Sequence, residues 1–299
     1  MADPFDLETS DLCKTYGAVH ALRGLSLQVP HGSICGLLGR NGAGKTTALK
    51  ILVGLTHPTS GRARACGLDV TVPASAVAVR RRIAFVDEDR SLYDGYRVDE
   101  MIRFTAGFFP GWRRDLDERY RRAFGLPGDR PVKALSRGMR AKLALLLAFC
   151  RGAEVLILDE PTSGLDPVAA DEVLQALVAH VGSGGGTVLV SSHQVADIEQ
   201  VADRIAIVDR GRAVLSGELD DLRDTVRRVQ VVFPGLAPDV TFTAPGAARV
   251  RREGRVLSVL ALSGVDDVVA EARALGPASV DVSPVPLKEL FLDVVAAEA

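Results

Sequence analysis

The eight residues Gly39-Arg40-Asn41-Gly42-Ala43-Gly44-Lys45-Thr46 read G-x-x-x-x-G-K-T, between the apolar run Ser33 to Leu38 and the segment Thr47 to Leu52. The order strand, glycine-rich turn, helix leaves few folds open. It is the arrangement that turns backbone N–H groups inward around phosphates while the positive end of a helix faces the same point. Gly39, Gly42 and Gly44 permit the turn, with Asn41, Ala43 and Thr47 completing the cradle. Lys45 reaches the β/γ-phosphates of a nucleoside triphosphate, and the Thr46 hydroxyl takes a Mg²⁺ coordination site. Composition sharpens this reading against a chance glycine turn. With 30 Arg and only six Lys, lysine at position 45 goes against the chain's habit, as expected where a compact ammonium is required. Asn41 is the sole asparagine. An Asn-Lys-x-Asp guanine-reading motif is therefore impossible, which excludes the small GTPases.

The 299 residues have room for one large domain or two modest ones. Net charge −2 and pI ≈ 6.2 supply no basic field for nucleic acid or anionic lipid. The longest apolar run, Leu143 to Cys150, has eight residues, too few to span a bilayer. The acidic start, Met1 to Asp6, lacks the plan of a secretion signal, and Cys13, Cys35, Cys66 and Cys150 lack C-x-x-C spacing. Isolated thiols in a reducing cytosol are the expectation.

Leu7 to Tyr16 and Ala21 to Val29 alternate like two strands. Tyr16, at the turn between them, either stacks on a purine ring or packs at a strand end. Ile83 to Val86 reads as a buried strand ending in Asp87-Glu88-Asp89, which is either a ligand-binding strand end or a solvated acidic loop. From Val98 to Phe149 the pattern turns helical. Six of the fifteen aromatics lie between Tyr93 and Trp112, either as the core of a small helical subdomain or as an apolar groove that receives another protein. Glu154 to Glu160 is a buried strand ending in two adjacent carboxylates, which period-two geometry sends to opposite faces. Asp159 suits a Mg²⁺ reached through the Thr46 shell, and Glu160 a water lined up on the γ-phosphate. Thr187 to His193 is a further buried strand with a histidine at its carboxyl end. Past Thr225 the texture changes. Strands are expected at Val229–Phe233, Val240–Thr243 and Val280–Val282, a hairpin within Val250–Leu262, and helices at Asp266–Leu275 and Leu287–Ala296.

Over residues 7 to 224 these pieces resemble one family, the nucleotide-binding subunit of ABC transporters. Gly39 to Thr46 looks like its Walker A motif, the strand ending in Asp159-Glu160 its Walker B, Ser163-Gly164-Leu165-Asp166 its D-loop, and His193 its switch histidine. Leu135-Ser136-Arg137-Gly138-Met139 stands in the place of its Leu-Ser-Gly-Gly-Gln signature, and Tyr16 in that of its adenine-stacking aromatic. The resemblance implies an α/β fold. A P-loop NTPase (RecA-like) core would carry an antiparallel β subdomain and a helical insertion at about 89–150, with a small C-terminal α+β domain over 225–299. It also implies ATP hydrolysis with Mg²⁺, Lys45, Glu160 and His193 being catalytic and Thr46 and Asp159 holding the metal. Two subunits would meet head to tail, so that Ser136, Gly138 and Asp166 of one meet the ATP of the other.

Two departures stand out. Arg137 and Met139 replace the signature's first Gly and its Gln, while Ser136 and Gly138 are kept. Glu88 stands at the Q-loop glutamine, where a carboxylate binds Mg²⁺ more tightly than an amide and adds negative charge beside the γ-phosphate. The Ser-Arg-Gly-Met pattern, the acidic Q-loop and the tail Leu287-Lys288-Glu289-Leu290-Phe291-Leu292 resemble the subgroup that pairs with a separate ABC-2 type permease, commonly an exporter. Such a subunit is expected on the cytoplasmic face of the membrane, docked through the region near Tyr93 to Trp112, without nucleic acid. The alternative is a soluble ABC ATPase acting on DNA or ribosomes. Its repair members carry long coiled-coil insertions and its ribosomal members usually two ATPase units, neither of which this sequence has.

Overall fold

Strands buried on both faces are apolar at almost every position, without the alternation of half-exposed ones. Ile34–Leu38 and Val155–Asp159 fit that description, Thr187–Ser192 only at Val188-Leu189-Val190, and every residue of all three is buried in the computed structural model, which describes residues 4–296. The chain divides into two compact units, Met1–Ser216 and Gly217–Ala299.

The first unit opens with strands β1 (Phe5–Tyr16), β2 (Val19–Pro30) and β3 (Ile34–Leu38), followed by helix α1 (Lys45–Leu52). Then come β4 (Ser60–Ala65), β5 (Leu68–Asp69), α2 (Pro73–Arg82) and β6 (Ile83–Val86). Three helices follow, α3 (Val98–Ala106), α4 (Arg114–Ala123) and α5 (Arg137–Cys150). The rest is β7 (Val155–Asp159), α6 (Pro167–Gly182), β8 (Thr187–Ser192), α7 (Val195–Val201), β9 (Arg204–Asp209) and β10 (Arg212–Glu218).

Six strands form one sheet in the order β10-β9-β3-β8-β7-β6. Its parallel register sets Leu38 beside Ser192, Asp159 beside Ser191 and Val86 beside Leu158. The carboxyl ends of β3, β6, β7 and β8 are therefore level, and the segments that follow them leave along one edge, where open α/β sheets bind ligands. A second, antiparallel sheet, β2-β1-β4-β5, turns Leu22, Leu25, Leu27 and Val29 inward. Helix α1 contributes Ala48, Leu49, Ile51 and Leu52 to a core that also takes in Leu7, Leu25, Ile157, Leu189 and Val208. Each fully buried leucine there stabilises the fold by about 1.5–3 kcal/mol.

Helix α5 is apolar on all sides over its last two turns, and Leu143 to Cys150 are buried. His180, on the final turn of α6, lies flat on Phe149 with centroids 4.2 Å apart. Burial pushes the His180 pKa down to about 4. Of the aromatics near α3, Tyr93, Tyr96, Phe104 and Phe108 touch one another in a chain of tilted and edge-on contacts. Tyr93 is 62% exposed and Phe108 65%, so this cluster is a surface feature and not a subdomain core.

The second unit holds α8 (Leu219–Thr225), β11 (Arg227–Val232), β12 (Ala247–Glu253), β13 (Val256–Ala261), α9 (Val265–Ala274), β14 (Ser279–Pro284) and α10 (Leu287–Ala296). Its antiparallel sheet runs β12-β13-β11-β14. Val229, Val231, Leu257 and Val259 on one face meet Val268 and Ala272 of α9. On α10, the buried Asp293 carboxylate accepts from Arg228 Nη2 at 2.7 Å and pairs with Arg251 Nη2 at 2.6 Å. The strand expected at Val240–Thr243 is absent from this sheet. The N–H groups of Thr243 and Ala244 donate instead to the Glu271 carboxylate at 2.8 and 2.7 Å, which supplies the partners a ladder would have given.

His180 gives a pH test of the α5–α6 packing. An unfolded chain protonates this ring at its ordinary value, 6.5, whereas the folded chain resists until about 4, so stability is complete above that window and falls as pH drops through it. His180→Phe should keep the stack on Phe149 and flatten this part of the pH dependence, read as the urea midpoint between pH 7 and pH 4.

Candidate functional site

The glycine-rich loop leaves β3 and enters α1 through Gly44, whose φ of +108° only glycine adopts freely. A Cβ on Gly44 would come within 2.6 Å of the Ala21 carbonyl oxygen, and one on Gly211 within 2.7 Å of the same atom. Gly211 in turn donates to Ala43 O at 2.8 Å and accepts from Arg23 N at 2.9 Å. Strand β2 and the β9–β10 turn thus brace the loop from behind. No side chain caps the start of α1. Its first N–H groups, with the positive end of the helix dipole, are left for an anion.

Lys45 lies almost buried at that point. Its Nζ donates to Gly39 O at 2.7 Å and pairs with Glu160 Oε1 at 3.1 Å. The other Glu160 oxygen, Oε2, lies 2.8 Å from His193 Nδ1 and accepts the His193 N–H at 3.3 Å. The carboxylate is thereby oriented by two loops at once. Glu160 itself has φ +48°, the left-handed region, which costs a non-glycine residue roughly 1–3 kcal/mol. Its N–H donates to Ser191 Oγ at 2.9 Å, and that hydroxyl donates to Asp159 Oδ1 at 2.6 Å. One serine therefore positions both neighbouring acids, the last residue of β7 and the left-handed residue that follows it.

These groups surround a cleft of ≈ 620 Å³. Asn41, Gly42, Ala43, Gly44, Lys45, Thr46, Thr47, Glu88, Glu160 and His193 all line it, so ten of the residues singled out from the sequence meet in one place. Gly39 and Asp159 do not line it: the Gly39 carbonyl accepts from Lys45 Nζ, and Asp159 Oδ1 from Ser191 Oγ. Tyr16 does not line the cleft. It is 48% exposed at the end of β1, with the Lys14 ammonium 4.8 Å from its ring centroid, and Val19, His20 and Ala21 form that rim instead. Ser136, Gly138 and Asp166 are also outside it. Ser136 and Asp166 cap their own helices, accepting from Met139 N at 3.2 Å and Ala169 N at 3.0 Å.

Sequence reasoning named Ser163 only as part of the D-loop pattern and assigned no part to Ser191 or Arg90. Ser163 lines the cleft and donates to Glu88 Oε1 at 3.3 Å. Ser191 was signalled only as a hydroxyl within an apolar strand. Arg90, buried, joins the loop after β6 to that after β7 through the carbonyls of Pro161 and Ser163, at 2.7 and 3.0 Å. The available signal for it was a lone basic residue directly after three acids.

The ABC transporter family model matches residues 22–163. The daunorubicin resistance ATP-binding protein DrrA3 of Streptomyces coeruleorubidus is 35% identical over 292 residues, which is 94% of this chain and 91% of that one. The Nod factor export ATP-binding protein I of Ralstonia nicotianae is 33% identical, over 84% of this chain and 80% of that protein. A solved dimeric ATP-binding cassette in a post-hydrolysis state, bound to ADP and Pi, superposes with TM-score 0.65 over 71% of this chain and 98% of its own at 21% identity, which shows a shared fold.

Ser191→Ala should leave the Glu160 N–H and Asp159 Oδ1 buried without this partner, at a cost of about 1–3 kcal/mol. Chemical unfolding should read that loss, and Ser191→Thr, which keeps the hydroxyl, should recover most of it.

Proposed function

The chain belongs to the ABC transporter ATP-binding family, and from that premise we propose how its cleft and its surfaces divide the work. Membership makes it the ATP-binding and hydrolysing subunit that powers a separate membrane permease. No helix among the described residues is long and apolar enough to cross a membrane.

Glu160 acts on water. Clamped between Lys45 and His193, its carboxylate is oriented toward the cleft and takes a proton from a water aligned on the γ-phosphate. Lys45 and the start of α1 hold the phosphates, and His193 steadies both Glu160 and the γ-phosphate. Thr46 and Asp159 fit a Mg²⁺. One hydroxyl and one carboxylate, the latter fixed by Ser191, leave the remaining positions to water and phosphate oxygens, as this ion prefers. The described residues contain no cluster of three or more His, Cys, Asp or Glu that would make a closed metal cage. When bound, the ion would neutralise charge on the phosphates. Glu88, exposed on the cleft rim and joined to Ser163, adds a carboxylate to this neighbourhood.

A second subunit completes the site. Ser136 and Gly138 lie outside their own cleft at the start of α5, where an N-terminus aimed at a partner's γ-phosphate supplies donors and positive potential. A solved cassette of the same fold is dimeric, which supports pairing of two subunits; the head-to-tail arrangement is part of this proposal. The permease, of ABC-2 type, docks at the aromatic cluster and the adjoining groove of ≈ 210 Å³ walled by Phe85, Met101, Phe109 and Leu147. The Nod factor export relative supports export as the direction, and pairing with a membrane permease would set the subunit on the cytoplasmic face.

The observation that carries this reading is the shared Glu160 carboxylate. Glu160→Gln should keep ATP binding, reduce turnover by about a hundredfold or more, and let an ATP-bound dimer accumulate on size exclusion. Wild-type turnover in that variant would remove Glu160 from its role. Ser136→Asp, which keeps a good helix cap but sets a negative charge toward the partner's phosphate, should abolish the ATP-dependent dimer without unfolding the chain.

A further inference from the structure

We propose that Arg90 is a positioning residue for hydrolysis, holding the turn in which Glu160 is set; this rests on the reading of Glu160 as the hydrolytic carboxylate. The turn needs holding because two local preferences oppose it. Glu160 has φ +48°, and it precedes Pro161, whose ring favours an extended conformation in the residue before it. Ser191 secures the turn on its amino side through the Glu160 N–H. On its carboxyl side Ser163 N donates to Glu160 O at 3.1 Å and Thr162 Oγ1 to Asp197 Oδ2 at 2.5 Å, and Arg90 ties the main chain of the turn to the loop after β6. Nη2 donates to Pro161 O at 2.7 Å and Ser163 O at 3.0 Å, and reaches Glu160 O at 3.5 Å.

Arg90 is suited to this task and to little else at its position. It is 7% exposed, although arginine is seldom buried without a carboxylate to pair with, and its own φ is +49°. Its guanidinium is directed at three main-chain carbonyls of a loop seventy residues away in sequence. A buried cation placed there for charge would be paired with an acid, whereas one placed to fix backbone geometry is aimed at carbonyls. Loss of the strut should let Glu160 relax and misalign its carboxylate with the attacking water. The described hydrogen bonds of the Arg90 side chain go to the loop after β7 and not to the glycine-rich loop, which should bind ATP as before.

The test is steady-state ATP hydrolysis by the full chain carrying Arg90→Met, which keeps apolar bulk without donors, or Arg90→Lys, which keeps donors without the planar fork. Arg90→Met should lower kcat by about 10- to 100-fold, the scale of a catalytic group displaced by an ångström. KM for ATP should stay within about twofold, because Lys45 and the start of α1, which hold the phosphates, lie outside the turn. Arg90→Lys should fall between Arg90→Met and wild type. Wild-type kcat in Arg90→Met overturns the proposal. So does a joint loss of ATP affinity and thermal stability in both variants, which would make Arg90 a general structural support. Glu160→Gln run alongside separates the two readings: if it retains turnover, the role of Glu160 falls, and if it is inactive while Arg90→Met is not, only the strut falls.

Discussion

A buried carboxylate shared between an ammonium and an imidazole governs the first unit. Glu160 is 5% exposed and Lys45 also 5%, so neither charge is tolerable alone, and each is fixed by the other. Lys45 arrives from the loop after β3, Glu160 from the end of β7 and His193 from the end of β8. Those ends meet because β3, β8 and β7 are adjacent and in level parallel register. The apolar centres of the three strands, which allow them to be buried on both faces, are thus the remote cause of the geometry of the cleft.

The fold class was legible because each signal was local. A glycine-rich loop between an apolar strand and a helix, strands ending in acids or histidine, and a run of helical spacing are all readable within about a dozen residues. The cleft was largely legible for the same reason, since its members are the residues directly following strands. What escaped depends on register and distance. Ser191 acts on Asp159 from 32 positions away, and Arg90 on Pro161 from 71. Neither separation means anything until the order β8-β7-β6 is known. Val240 to Thr243 had strand-like residues, but the Glu271 carboxylate took the N–H groups of Thr243 and the following Ala244, and propensity yielded to tertiary context.

The second unit shows how far composition alone can mislead. Its sequence carries no motif, yet one sheet face is a dry core against α9, while on the side toward α10 arginines converge on a single buried aspartate. Arg228 and Arg251 come from different strands and Asp293 from the last helix, so this charge group ties the C-terminal helix to the sheet. The aromatics around Tyr93 make the opposite point. Residues that a hydropathy reading would place inside are edge-packed on one another at the surface.

The carbonyl of Ala21 has two glycines crowded against it, from segments 167 positions apart. A methyl group gained at either one would press on the same oxygen and, through it, on the other. The three segments therefore form a mutational knot: drift in any one is vetoed by the remaining two. The curvature of the phosphate cradle is built into the scaffold before any nucleotide arrives, so binding need not fund its assembly.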